Sequence, residues 1–138
     1  MKTEMIYVNA PRWLRAAFTG LALALAAFIL IKSIGAISVR VNISNGDKLL
    51  HAAAYFALGL PAYPALAKMK PLHVWVLLVG FGLLIELLQG TMGAGRTADW
   101  LDGVANAAGA MIALFAWLVF SILARRVSRQ NSPKTRNR

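Results

Sequence analysis

Residues 95–109 read GRTADWLDGVANAAG, and this stretch decides the fold. Asp99, Asp102, Asn106 and Gly109 follow one another at steps of three, four and three residues. On a helix those steps line one face with polar groups and close it with a small residue. From Gly109 to Ala124 the chain is apolar almost without a break, so the polar face opens a membrane-spanning helix. Polar groups placed there raise the free energy unless partners meet them. Neighbouring helices should supply those partners.

Working outward, three more apolar runs are long enough to cross a bilayer core, which takes about 20 helical residues. They are residues 13–31, 47–67 and 72–89, and the stretch above belongs to a fourth at 99–124. The predicted fold is therefore all-α, a four-helix transmembrane bundle. Composition agrees. Of the 138 residues, 59% are hydrophobic and 14% charged, with a mean hydropathy of +0.61. A soluble domain would carry about a quarter charged residues. The spans leave no length for a soluble catalytic domain. We expect one membrane domain over residues 1–124 and a basic, disordered cytoplasmic tail over 125–138.

The net charge of +10 invites a nucleic-acid reading, but its placement argues against nucleic acid as a partner. Arg125, Arg126, Arg129, Lys134, Arg136 and Arg138 all follow the last span. Beside a membrane span such a cluster sets orientation and meets anionic lipid. The absence of cysteine excludes disulfides and thiolate metal sites. An uncleaved first span is preferred over a cleaved signal peptide, because the run from Trp13 is long and Ser33–Ala36 makes a weak cleavage site. Residues 37–44, ISVRVNIS, alternate apolar and polar side chains, as a half-buried extended segment or an ordinary loop would. In residues 47–67 the alanines favour close helix contact, and Pro61 and Pro64 should bend or fray the far half. Gly80 and Gly82 in residues 72–89 should admit a neighbouring helix.

Orientation follows from the basic residues. With four spans, Lys2, Arg12, Arg15, Lys68, Lys70 and the tail lie on one side. Lys32, Arg40, Lys48 and Arg96 lie on the other. The positive-inside rule then puts both termini in the cytoplasm. The starts of spans two and four and the end of span three meet at the outer face.

A constellation gathers there. Asp47, His51 and Tyr55 are four apart and share a helix face beside Lys48. Glu86 and Gln89 close span three, Arg96 sits in the loop, and Asp99, Asp102 and Asn106 open span four. At a rise of about 1.5 Å per residue, His51 lies roughly 6 Å below the start of its span, and Asn106 about 10 Å below Asp99. Asp47, Glu86, Asp99 and Asp102 are opposed only by Lys48 and Arg96 if His51 is neutral. Unpaired buried carboxylates are too costly to persist. Protonation, a charged His51, water access or a bound cation would relieve them. Simpler roles exist for single residues. Asp47 and Asp99 suit helix N-caps, Asp102 favours the dipole of a first turn, and Asn106 can bond across helices. Glu86 has no such excuse, because an acid near a helix C-terminus opposes the dipole.

These residues carry a resemblance. DKLLHAAAYFALG (47–59), IELLQG (85–90) and GRTADWLDGVANAAGA (95–110) resemble the motifs of VanZ-like membrane proteins, over about residues 47–115. The family pattern of Asp-Lys-x-x-His, Glu-x-x-Gln and an Arg followed by Asp and Asp-x-x-x-Asn falls on Asp47, Lys48, His51, Glu86, Gln89, Arg96, Asp99, Asp102 and Asn106. The loop TMGAG at 91–95 departs from it by lacking aromatic and proline residues. The resemblance implies a multi-pass protein of the bacterial cytoplasmic (inner) membrane acting at the cell envelope. The family is named for a protein linked to teicoplanin resistance, and that name alone does not assign antibiotic resistance to this chain.

Three functions stay open. In the first, the outer pocket formed by the nine motif residues binds a phosphate-bearing lipid headgroup, either a membrane lipid or a lipid-linked envelope precursor. Lys48 and Arg96 would meet the phosphate beside two helix N-termini, with a divalent cation on Glu86, Asp99 or Asp102 bridging to it. In the second, the protein is a metal-assisted intramembrane hydrolase or transferase whose catalytic candidates are His51, Glu86 and Asp102. No His-x-x-x-His metal signature supports this. In the third, the layer fixes helix register in a non-catalytic scaffold. A homo-oligomer would bury faces that a short bundle leaves bare. A proton-coupled transporter fits poorly, because no polar path crosses the apolar inner half.

Overall fold

The structure, a computed structural model, describes residues 11–34, 46–91 and 99–130. Four helices make up most of them: α1 (Arg12–Ile34), α2 (Gly46–Ala65), α3 (Pro71–Thr91) and α4 (Trp100–Gln130). No strand occurs among the described residues. Residues 37–44, Arg96 and the tail from 131 lie outside them.

The all-α expectation holds, but the expectation of four apolar spans needs correcting. Three helices are long and apolar enough to cross a membrane, namely α1, α3 and α4 over Trp100–Val127. The second helix forms as expected yet falls short of that hydropathy. It opens with Asp47, Lys48 and His51 and carries Tyr55, Tyr63, Pro61 and Pro64. Packing explains how it tolerates them. It contacts all three other helices, so many of its side chains face protein and not lipid. Tyr55, Leu58, Ala62 and Tyr63 are each at most 4% exposed. By contrast α1 buries no residue, and Leu23, Phe28 and Ile31 point outward from an otherwise apolar cylinder. Large apolar side chains so exposed suit a lipid environment and would aggregate in water.

The core lies where α2 and α4 run parallel and close together. A side-chain carbon placed on Gly109 would overlap the Ala52 carbonyl, and one placed on Gly59 would fall 2.5 Å from Ala113 Cβ. Small residues therefore let the two backbones touch, the general means of helix association in lipid. Two aromatic side chains then bond polar groups inside the bundle. Tyr63 donates to the Ala110 carbonyl at 3.1 Å, and Trp75 Nε1 donates to the Ala107 carbonyl at 3.1 Å.

The glycines of α3 separate. Gly82 faces Asn106 and Tyr55, as expected of a close approach, whereas Gly80 meets nothing within 4 Å. The helix does not fray between its prolines: α2 runs through Pro61 and Pro64, both buried, and ends at Ala65. At the other end of the chain, α4 passes Ala124 and continues to Gln130, so helix occupies the first residues of the expected tail. Arg125 Nε donates to the Ser121 carbonyl at 2.9 Å, and basic residues favour the negative end of the helix dipole.

Gly109→Ala should therefore destabilise the protein by about 1–3 kcal/mol, the usual range for overpacking. Gly80→Ala, facing open space, should be neutral or stabilising by up to about 1 kcal/mol. Thermal unfolding in detergent followed by circular dichroism measures both.

Candidate functional site

The close α2–α4 contact brings the first turns of both helices to the same level. Asp99 precedes α4 and caps it. Its Oδ1 accepts from the Leu101 amide at 2.9 Å, and its carbonyl accepts from Asp102 N at 3.0 Å. Its other oxygen, Oδ2, accepts from Lys48 Nζ at 3.0 Å. Asp99 thus serves as cap and as ion-pair partner together. The Leu101 amide, then the Lys48 ammonium, hold its carboxyl below the ordinary carboxylate range.

The ammonium of Lys48 is shared further. It lies 3.3 Å from Asp47 Oδ2 and 3.7 Å from Asp102 Oδ1. Three carboxylates thus surround one lysine. The sequence set Lys48 against these carboxylates and also offered it to phosphate; the geometry shows it on the carboxylates.

One helical turn below, His51 sits at the centre of the layer. Its Nδ1 lies 3.2 Å from Asn106 Oδ1 and 4.0 Å from Glu86 Oε1. Its Nε2 lies 3.5 Å from Asp102 Oδ2. Both Glu86 and Asn106 are buried, at 7% and 2% exposure. The Glu86 Oε1, Asp102 Oδ1 and Tyr55 hydroxyl oxygens have no hydrogen-bond partner among the described residues. Gly82 lets the layer close. A side-chain carbon there would stand 3.0 Å from Asn106 Nδ2 and 3.2 Å from the Tyr55 hydroxyl.

Beside this layer opens a cavity of about 300 Å³ between all four helices. Its polar lining comes from Lys32, Ser33, Asp47, His51, Tyr55, Gln89 and Asn106, and its apolar lining from Phe28, Ile29, Leu50, Ala54 and Ile85. Gln89 Nε2 donates to the Ser33 carbonyl at 2.8 Å, which ties the end of α3 to the end of α1. Lys32 Nζ stands 5.9 Å from the centre of the Phe28 ring and has no carboxylate partner among the described residues.

Most of the sequence-predicted site thus converges. Asp47, Lys48, His51, Glu86, Asp99, Asp102 and Asn106 form one connected layer, and Gln89 joins from the cavity side. Arg96 lies outside the described residues. Of the metal candidates Glu86, Asp99 and Asp102, the first and last group with His51, which the sequence had offered as a catalytic residue, while Asp99 is engaged by Lys48 and the helix cap. The contribution of α1 was missed. Its signal was present in Lys32, a lone cation closing an apolar helix on the same side as Lys48.

A family model described as VanZ/LLP1 matches residues 8–122, most of the chain. The chain belongs to the VanZ/LLP1 family. It matches no curated protein and no solved structure. As a VanZ/LLP1 membrane protein it carries every motif residue from Asp47 to Asn106 inside the matched region. That region also takes in α1, which supplies one wall of the cavity.

Lys48→Ala should lower the thermal midpoint, because it leaves Asp47, Asp99 and Asp102 facing one another, and adding Asp102→Asn should recover part of the loss. Acid separates a second contribution. Asp99 is depressed in the folded state, so it stabilises above its unfolded pKa, and that stabilisation is lost as pH falls through the lower folded value. The stability gap between wild type and Asp99→Ala should be constant near neutral pH and close in strong acid, measured by thermal unfolding across pH.

Proposed function

We propose that this VanZ/LLP1 protein binds an amphiphile with a phosphate-bearing headgroup in the cavity beside the His51–Glu86–Asp102 layer, at the outer face of the bacterial cytoplasmic membrane. The observation that carries this reading is the division of the cavity lining. Phe28, Ile29, Leu50, Ala54 and Ile85 offer an apolar wall to acyl or isoprenoid chain. Lys32, Gln89 and Asn106 offer donors to a headgroup. A volume of about 300 Å³ is at the lower end for small-molecule sites and suits a headgroup with the first carbons of its chain.

Lys32 is the cation best placed for the phosphate. Lys48 is already neutralised by carboxylates, so its attraction for an added anion is weak. A phosphate arriving at the layer also meets the repulsion of Glu86 and Asp102, which favours approach from the α1 side. Envelope lipids and lipid-linked envelope precursors share the required chemistry. Binding such a precursor would connect the protein to envelope assembly and to glycopeptide susceptibility.

A second reading, metal-assisted hydrolysis or transfer on the same lipid, is favoured by the convergence of His51, Glu86 and Asp102. Turnover of a labelled polyprenyl phosphate that is lost in His51→Ala supports it. An unchanged substrate in the presence of added metal counts against it.

The binding reading is tested by native mass spectrometry of the full chain with a long-chain polyprenyl phosphate and with its unphosphorylated alcohol. The phosphate form should bind more tightly. Lys32→Glu should weaken it by about tenfold, as expected for losing an ion pair worth about 1.4 kcal/mol and replacing attraction by repulsion. Equal affinity for phosphate and alcohol, in wild type and variant alike, sinks the idea.

A further inference from the structure

We propose that His51, Glu86 and Asp102 hold a divalent cation of the manganese–zinc class at the inner wall of the cavity. One ligand atom from each residue lies within 4.8 Å of the other two, although the residues come from three different helices. Proximity alone would also suit a network of hydrogen bonds. The direction of the lone pairs argues otherwise.

Asn106 Oδ1 is an acceptor, so its 3.2 Å contact with His51 requires Nδ1 to carry the hydrogen. In the neutral ring Nε2 then presents a lone pair, and it faces Asp102 Oδ2 at 3.5 Å. Two acceptors stand opposite one another. A third acceptor, Glu86 Oε1, stands 4.0 Å from Nδ1 of the same ring on a side chain only 7% exposed, and it has no hydrogen-bond partner among the described residues. The nearest ammonium does not resolve this, because Lys48 lies on Oδ1 of Asp102 and is already shared with Asp47 and Asp99. A cation bound to Nε2 and the two carboxylates satisfies all three acceptors together.

The Asn106–His51 bond has the form found behind metal-bound histidines, in which the other ring N–H is held by an oxygen that fixes tautomer and orientation. Asn106 would be a positioning residue and not a ligand. One imidazole with two carboxylates is a mixed nitrogen–oxygen set, suited to manganese or zinc more than to calcium. Bonds of about 2.1 Å draw the three side chains inward from their present spacing. The site does not depend on lipid binding, and metal alone probes it.

The test uses the full chain in lipid nanodiscs, stripped with chelator and equilibrated with Mn²⁺ or Zn²⁺. About one ion per chain should be retained, and metal should raise the thermal midpoint. Pulsed electron paramagnetic resonance of the Mn²⁺-loaded wild type should show coupling to an imidazole nitrogen, a readout that needs no variant to fold. Glu86→Gln and Asp102→Asn keep side-chain shape and should each weaken binding at least about tenfold, since even outer-shell changes reach that size. Without metal both should be at least as stable as wild type, because each removes one charge from a crowded group. A wild type that retains no ion, a spectrum without nitrogen coupling, or variants that bind as wild type does would each overturn the proposal.

Discussion

The contact of Gly109 with the Ala52 carbonyl is the constraint on which the rest of this structure depends. In lipid no hydrophobic force drives one helix against another, so association rests on close backbone packing and internal hydrogen bonds. Here that packing fixes both the separation and the register of α2 and α4. With Ala52 against Gly109, Lys48 falls opposite Asp99 and Asp102, and His51 falls opposite Asn106. A slip of one residue would rotate α2 by about 100° and disperse the layer.

Register and charge therefore support one another. Asp99 caps α4 and pairs with Lys48, so the start of one helix is tied electrostatically to the start of the other. Below that level the charges no longer balance among the described residues. Glu86 and Asp102 both meet His51, whose ring is oriented by Asn106, and the nearest ammonium, Lys48, reaches only Asp102, at 3.7 Å. A structure that stabilises itself in its first turn and leaves acceptors facing each other in the second has the division expected of a scaffold carrying a site.

Much of this was legible in the sequence. The three–four–three spacing from Asp99 to Gly109 fixed one face of α4, and the four-residue step from Asp47 to His51 fixed one face of α2. Alternating span direction then put those faces at the same end. Two things were not legible. Apolar length overstated α2 as a lipid-facing span, because its polar groups are sheltered by protein on several sides, and such shelter depends on tertiary neighbours. Apart from Lys32 at its end, the wall formed by α1 was hidden for the opposite reason. Uniform apolarity from Leu21 to Ile31 has no periodic face, so nothing in that run indicates which side meets the cavity. Which of the four acids Lys48 meets likewise required coordinates, since the sequence showed only that it opposes them.

The lack of any buried residue in α1 has a consequence for traffic. This helix meets the bundle through half-buried apolar residues, Ala22, Leu25, Ala26 and Ile29, and through the Gln89 bond to the Ser33 carbonyl. Lipid chains can take over most of the first at little cost, because they are as apolar as the side chains they replace. Opening at this wall would connect the cavity sideways to the bilayer, so a molecule with a long hydrocarbon tail could enter without its tail ever crossing water.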